Sequence, residues 1–110
     1  MKVDKPWGYE IRWAVNEKYL GKILHISRGR RLSKQYHNIK DETIYVQSGV
    51  LQLEIGDSEI IYLKEGESYR IKPKTIHRFA APVDCSVNLI EVSTPEIDDV
   101  VRLEDDYNRS

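Results

Sequence analysis

Between residues 9 and 93, short segments of alternating apolar and polar residues recur, each closed by glycine, proline or a small polar cluster, with a period of about ten residues. Alternation with period two marks a strand with one covered face, and segments this short leave little room for packed helices. The cleanest is residues 51–55, where Leu51, Leu53 and Ile55 point one way and Gln52 and Glu54 the other. Tyr9, Ile11, Trp13 and Val15 alternate with Glu10, Arg12 and Ala14, and YLGKILHIS runs on to a break at Ser27, Arg28 and Gly29. Further strands are expected over residues 32–37, 42–47, 58–63, 69–71, 76–80 and 86–93, with Asn38 to Asp41 as a loop. In the last strand Val87, Leu89 and Glu91 share one face. The pattern predicts an all-β, antiparallel sandwich or small barrel, closed against exposed edges. The acidic tail carries Ile97, Val100, Val101 and Leu103 at spacings that predict a short docked segment or one helical turn.

The chain of 110 residues is read as a single domain, 1–110, long enough for one core. Charged residues make up 32%, the net charge is -1, and no apolar run approaches the roughly 18 residues of a membrane helix. MKVDKPWGYE has no apolar leader and Cys85 has no second cysteine to pair with, so a cytoplasmic protein is expected, with no membrane partner. Near-neutral charge gives no general attraction to nucleic acid, which is not expected as a partner. Arg28, Arg30, Arg31 and Lys34 fit either a solvated strand edge or a cation ring around an anionic ligand.

Residues 29–49 carry the strongest chemical signal. Gln35 and His37 are two apart, hence on one face of a strand, and Glu42 follows five residues later. A carboxylate beside Ile44 and Val46 is costly to bury without a cation or solvent. His77, after the turn in IKPKTI, can join them if it points inward. Two imidazoles, a carboxylate and an amide oxygen suit a divalent ion such as zinc, iron, manganese or nickel, although a lone strand histidine is more often a structural, hydrogen-bonded side chain. His25 is read as structural.

Gly29, Gln35, His37, Glu42 and Gly49 are spaced as in the first motif of the cupin superfamily, with Gln in the place usually held by the first His. Residues 66–81 resemble the second motif, with Pro73 one place late, Lys74 where Gly is usual and Ala81 where many members have Asn. More narrowly, KPWGYE, LSKQYH, IHR and the terminal DDVVRLEDDYNR resemble the C-terminal cupin domain of the bifunctional mannose-1-phosphate guanylyltransferase/mannose-6-phosphate isomerases, the type II phosphomannose isomerases. The resemblance implies a single-domain cupin, an antiparallel double-stranded β-helix or jelly-roll barrel with a short C-terminal tail. It also implies one divalent metal, zinc first among the candidates, on Gln35, His37, Glu42 and His77. The implied activity is a metal-dependent aldose–ketose isomerisation of a sugar phosphate through a metal-stabilised enediolate, most simply mannose 6-phosphate to fructose 6-phosphate. Lys40, Arg70 and Arg78 are candidates for the phosphate, Arg30 a weaker one, and no residue is assigned as the base. No nucleotidyltransferase segment is present, so guanylyl transfer is not expected, and Thr43 and Ile44 replace the His and Trp often found beside the Glu. The alternatives are a sugar- or sugar-phosphate-binding cupin without turnover and, third, oxygen chemistry at iron. The aromatics Trp7, Tyr9 and Trp13 predict a homodimer through the N-terminal strands, or else a cap within one chain.

Overall fold

A computed structural model describes residues 1–107; Asn108 and Arg109, which end the DDVVRLEDDYNR block, lie outside the described residues. Eleven strands follow in order: β1 Lys2–Lys5, β2 Gly8–Val15, β3 Leu20–Ile26, β4 Lys34–Tyr36, β5 Glu42–Ser48, β6 Leu51–Ile55, β7 Glu59–Leu63, β8 Ser68–Ile71, β9 His77–Ala80, β10 Val87–Ser93 and β11 Val101–Glu104. They form two antiparallel sheets, β1-β2-β3-β10-β5-β8 and β11-β4-β9-β6-β7, the all-β antiparallel barrel that the strand rhythm predicts, in the jelly-roll form that the resemblance implies. β1 lacks alternating apolar residues and is held by its ladder to β2, from Lys2 opposite Ile11 to Lys5 opposite Gly8. The tail docks as a strand, not a helical turn, because β4 would otherwise be an open edge; Val101 and Arg102 pair with Tyr36 and Gln35.

The core lies between the sheets, on the inward side chains Leu24, Ile26, Ile44, Val46, Leu51, Leu53, Ile71, Phe79, Val87 and Leu89. Removing each large aliphatic side chain from water contributes about 1.5–3 kcal/mol. The apolar filling stops at one level. Val46, Leu89 and Leu24 face one another across β5, β10 and β3, but Leu24 meets Glu10 on β2. In the next inward row Ile44 is followed by Glu91, Lys22 and Arg12. One end of the barrel is therefore packed and the other polar, and the site sits at the polar end.

β2 turns its charges inward and its apolar residues outward. Glu10 is 4% exposed, whereas Trp13 is 53% and Val15 60% exposed. Alternation with Tyr9 and Ile11 puts Trp13 on the outer face, where its indole lies over Gly21, and a bulge between Arg12 and Ala14 then shifts the register so that Val15 pairs with Leu20. Trp7, expected with these aromatics at a dimer contact, is instead buried in the core and lines the cavity. At Gly8, with φ +152°, an added Cβ would come 1.9 Å from the His25 carbonyl oxygen, so this close pairing of the start of β2 with the end of β3 requires glycine. Lys74, at the second motif's usual Gly, sits at φ +67°, which explains why a glycine suits that turn.

Candidate metal centre

His37 follows β4, Glu42 opens β5 and His77 opens β9. The barrel brings their side chains together, and one ligand atom from each lies within 4.8 Å of the others. His37 Nε2 is 3.0 Å and His77 Nε2 3.3 Å from the same Glu42 Oε1. All three residues are buried. Each Nδ1 is committed elsewhere: that of His37 faces the Asp99 carbonyl oxygen at 2.5 Å and that of His77 the Thr75 carbonyl oxygen at 2.8 Å. A carbonyl accepts but cannot donate, so both Nδ1 atoms carry protons and, in the neutral rings, both Nε2 atoms present lone pairs. Three acceptors then converge with no donor among them, and His77 Nε2 has no hydrogen-bond partner among the described residues. Such a cluster is stable around a cation. Two ligands at metal–nitrogen or metal–oxygen lengths of about 2.0–2.2 Å stand roughly 3.0–3.4 Å apart, and the two histidine–glutamate separations match that. The donor set fits a divalent ion, and each imidazole already has the second hydrogen bond that orients a metal-binding histidine.

Gln35 lies in the wall of the same cavity, in register with His77. Its Oε1 accepts the Ser33 hydroxyl at 2.6 Å, which leaves that oxygen one further lone pair.

Further acidic and basic groups surround the cluster: Lys40, a candidate in the sequence, and Glu91 and Asp99, which were not. Lys40 is buried, with its ammonium 3.0 Å from Glu91 and 3.7 Å from Glu42. Burial alone would push the Glu42 carboxyl up, but hydrogen bonds from His37 and His77, which each ring can make to it when Nε2 is also protonated and no ion is bound, and the charge of Lys40 outweigh it and hold it well below the usual carboxylate range. Burial, with the Glu42 charge adding to it, pushes Glu91 up to about 7 against the pull of Lys40 and Lys22. Burial opposes the charge on Lys40, yet Glu91 and Glu42 keep its pKa above the ordinary lysine value. Glu91 was detectable in principle, since it shares a strand face with Val87 and Leu89. Asp99, distant in sequence, carried no such signal. Its carboxylate accepts the amide N–H groups of Asn38, Ile39 and Lys40, which pins the loop between His37 and Glu42.

A cavity of about 420 Å³ opens over Gln35, His37 and Glu42. Ile97, Val100 and Arg102 from the tail complete its rim. Lys40 lines it; the structure does not bring Arg70 or Arg78 to it. Arg70 stands on the outside, paired with Asp41. Arg78 alternates with His77 and Phe79 along β9 and so faces the other side, where it donates to the carbonyls of Leu32 and Glu104. Arg30 is exposed and does not line the cavity.

Residues 1–105 match the family described as mannose-6-phosphate isomerase C-terminal. The chain belongs to that family. Among relatives of this C-terminal domain, the xanthan biosynthesis protein XanB of Xanthomonas campestris pv. campestris is 33% identical over 99% of this chain, and the mannose-1-phosphate guanylyltransferase ManC of Salmonella typhimurium is 35% identical over 98%. The chain spans about a quarter of their length, 24% and 23%. A solved RmlC-like cupin from Shewanella frigidimarina superposes with a TM-score of 0.77 at 18% identity, covering 89% of this chain and 86% of that one. The mannose-6-phosphate isomerase C-terminal domain thus has the cupin fold here, as expected. No helix among the described residues is long and apolar enough to cross a membrane.

Proposed function

We propose that residues 1–110 act as one cupin unit that isomerises a sugar phosphate between aldose and ketose, with mannose 6-phosphate and fructose 6-phosphate as the simplest pair. The observation that carries this reading is the convergence of three acceptors, two of them imidazoles with their protons held on the far nitrogen, beside a cavity with cationic walls. His37, Glu42 and His77 would hold the ion, with Gln35 as a fourth ligand through its free lone pair and zinc as the first candidate. When bound, the ion supplies Lewis acidity that polarises a carbonyl and offsets negative charge developing on oxygen. The chain's own residues set the conditions for that. Asp99 and Thr75 fix the imidazole tautomers, Asp99 also pins the loop, and Trp7, Leu24 and Phe79 give the cavity an apolar floor that limits water. The reaction moves a proton from C2 to C1 and a hydroxyl proton to the former carbonyl oxygen, so it needs no outside oxidant.

A sugar-binding cupin without turnover is the second reading, favoured by the engagement of Gln35 Oε1 with Ser33 rather than with the cluster. Metal analysis of protein purified without added ions, followed by a coupled assay of fructose 6-phosphate formation, separates the two. The isomerase reading expects a bound divalent ion and a loss of turnover of at least about a hundredfold in Glu42→Gln. Metal without turnover favours binding alone, and oxygen uptake with iron favours oxygenase chemistry. We further propose a cytoplasmic homodimer that covers the outward residues Tyr9, Ile11 and Trp13 of β2.

A further inference from the structure

The end of the cavity under β2 and β3 holds more cations than it neutralises. Glu10, buried there, meets the Arg12 Nε at 2.8 Å, the Lys22 ammonium at 3.3 Å and the Lys5 ammonium at 3.9 Å. Glu91, beside Lys22, and Asp98 line the same cavity, whose cations Lys5, Arg12, Lys22, Lys40 and Arg102 still outnumber its acids Glu10, Glu42, Glu91 and Asp98 by one. From the opposite sheet Arg102 lines the same cavity, and its Nε is buried with no hydrogen-bond partner among the described residues. A guanidinium nitrogen withdrawn from water without an acceptor is costly unless a ligand supplies one.

We propose that Arg12, Lys22 and Arg102 form an anion subsite that receives the phosphate of a sugar phosphate, at the end of the cavity away from the metal cluster; this rests on the reading of the site as one for sugar phosphates. A phosphate monoester offers three terminal oxygens, one for each of Arg12, Lys22 and Arg102, whereas a sugar carboxylate offers two and a single charge. The strand order fixes the distance. Glu91, which borders the metal cluster, and Arg12 lie in one inward row with Lys22 between them. Two strand spacings separate them, roughly 10 Å. A ligand that spans this row carries its carbonyl end at the cluster and its phosphate on the far carbon. The subsite selects a terminal phosphate over one on the carbon next to the ring oxygen. Glu10 holds Arg12 and Lys22 in place when no ligand is bound, so the cations are positioned before the phosphate arrives.

The test is calorimetric titration of the metal-stripped full chain with inorganic phosphate, mannose 6-phosphate, mannose 1-phosphate, mannose and galacturonate, repeated on Arg102→Gln and Arg12→Gln. Arg102 Nε gives up no hydrogen bond to the described residues, so Arg102→Gln should fold as the wild type does, which keeps the test valid if loss of the Glu10 partner unfolds Arg12→Gln. The expected result is that inorganic phosphate competes with mannose 6-phosphate, that the 1-phosphate and mannose bind more weakly, and that Arg102→Gln weakens mannose 6-phosphate by about tenfold or more while leaving mannose unchanged. Metal content, measured separately on the unstripped variant, should not change. Equal weakening of mannose and mannose 6-phosphate, absence of phosphate binding, or tighter binding of galacturonate would each overturn the subsite. Phosphate-dependent binding without turnover would retain the subsite and remove the isomerase. Turnover with unaltered affinity in Arg102→Gln would do the reverse.

Discussion

Asp99→Asn isolates the contribution of a single carboxylate to the loop that spaces His37 from Glu42. The carboxylate accepts amide hydrogens from Ile39 at 2.7 Å, Lys40 at 2.9 Å and Asn38 at 3.0 Å. The Ile39 and Lys40 amides lead in holding its pKa at about 2, below the ordinary 3.8. At 1.36 kcal/mol per pH unit, that difference corresponds to roughly 2.4 kcal/mol if fully realised. Asp99 is only half-buried, and screening by solvent reduces the figure to about 1–1.5 kcal/mol. The folded pKa is depressed, so this stability is present above pH 3.8 and is lost as the pH falls towards 2. Urea unfolding of wild type and Asp99→Asn should therefore differ by about 1–1.5 kcal/mol at pH 7 and by about half as much at pH 3. The same substitution should weaken metal binding by about tenfold, because the loop that presents His37 loosens. A stability difference that stays constant between pH 7 and pH 3, or one below about 0.3 kcal/mol at pH 7, would refute the assignment of this carboxylate as the clamp.

Two further outcomes concern the N-terminal strands. Trp13→Glu should convert a homodimer to a monomer in sedimentation velocity without changing the far-ultraviolet circular dichroism; a wild-type protein that sediments as a monomer at all concentrations removes the dimer proposal. Gly8→Ala should cost about 3 kcal/mol or more in chemical denaturation, since the new methyl group meets a backbone oxygen that cannot move without parting β2 from β3. A cost under about 1 kcal/mol would show that the two strands do not pair as closely at Gly8 as described.

The strands were legible because alternation and punctuation are local. Leu51 and Leu53, or Val87 and Leu89, identify their faces without reference to the rest of the chain. β2 shows the limit of that reading: its alternation is plain, but binary patterning alone implies apolar residues inside, and here the inside is a charged cavity. Glu10, Arg12 and Lys22 therefore read as solvent-facing, and Trp7 and Trp13 as equivalent, although one is core and the other outer surface. His37, Glu42 and His77 could be singled out because their side-chain chemistry is specific and an acid among aliphatic residues asks for a partner, but it was the resemblance to the cupin motifs that joined them into one set. The cations were harder. Arginine and lysine occur throughout the chain, and whether Arg78 or Arg102 reaches the cavity depends on which side of its strand faces in, which the register sets rather than the residue type. The tail's strand pairing with β4 and the grip of Asp99 on residues 38–40 join segments some sixty positions apart, beyond any local signal.

That long-range pairing separates two parts of the chain by what they supply. The ten strands up to Ser93 carry the buried apolar cluster, whereas Asp99 and Arg102, which complete the site, follow them. Without the tail His37 lacks the carbonyl that settles its tautomer, β4 is an open edge, and the cavity has no Arg102. A chain truncated after Ser93 is therefore expected to lose the finished site before it loses the apolar core.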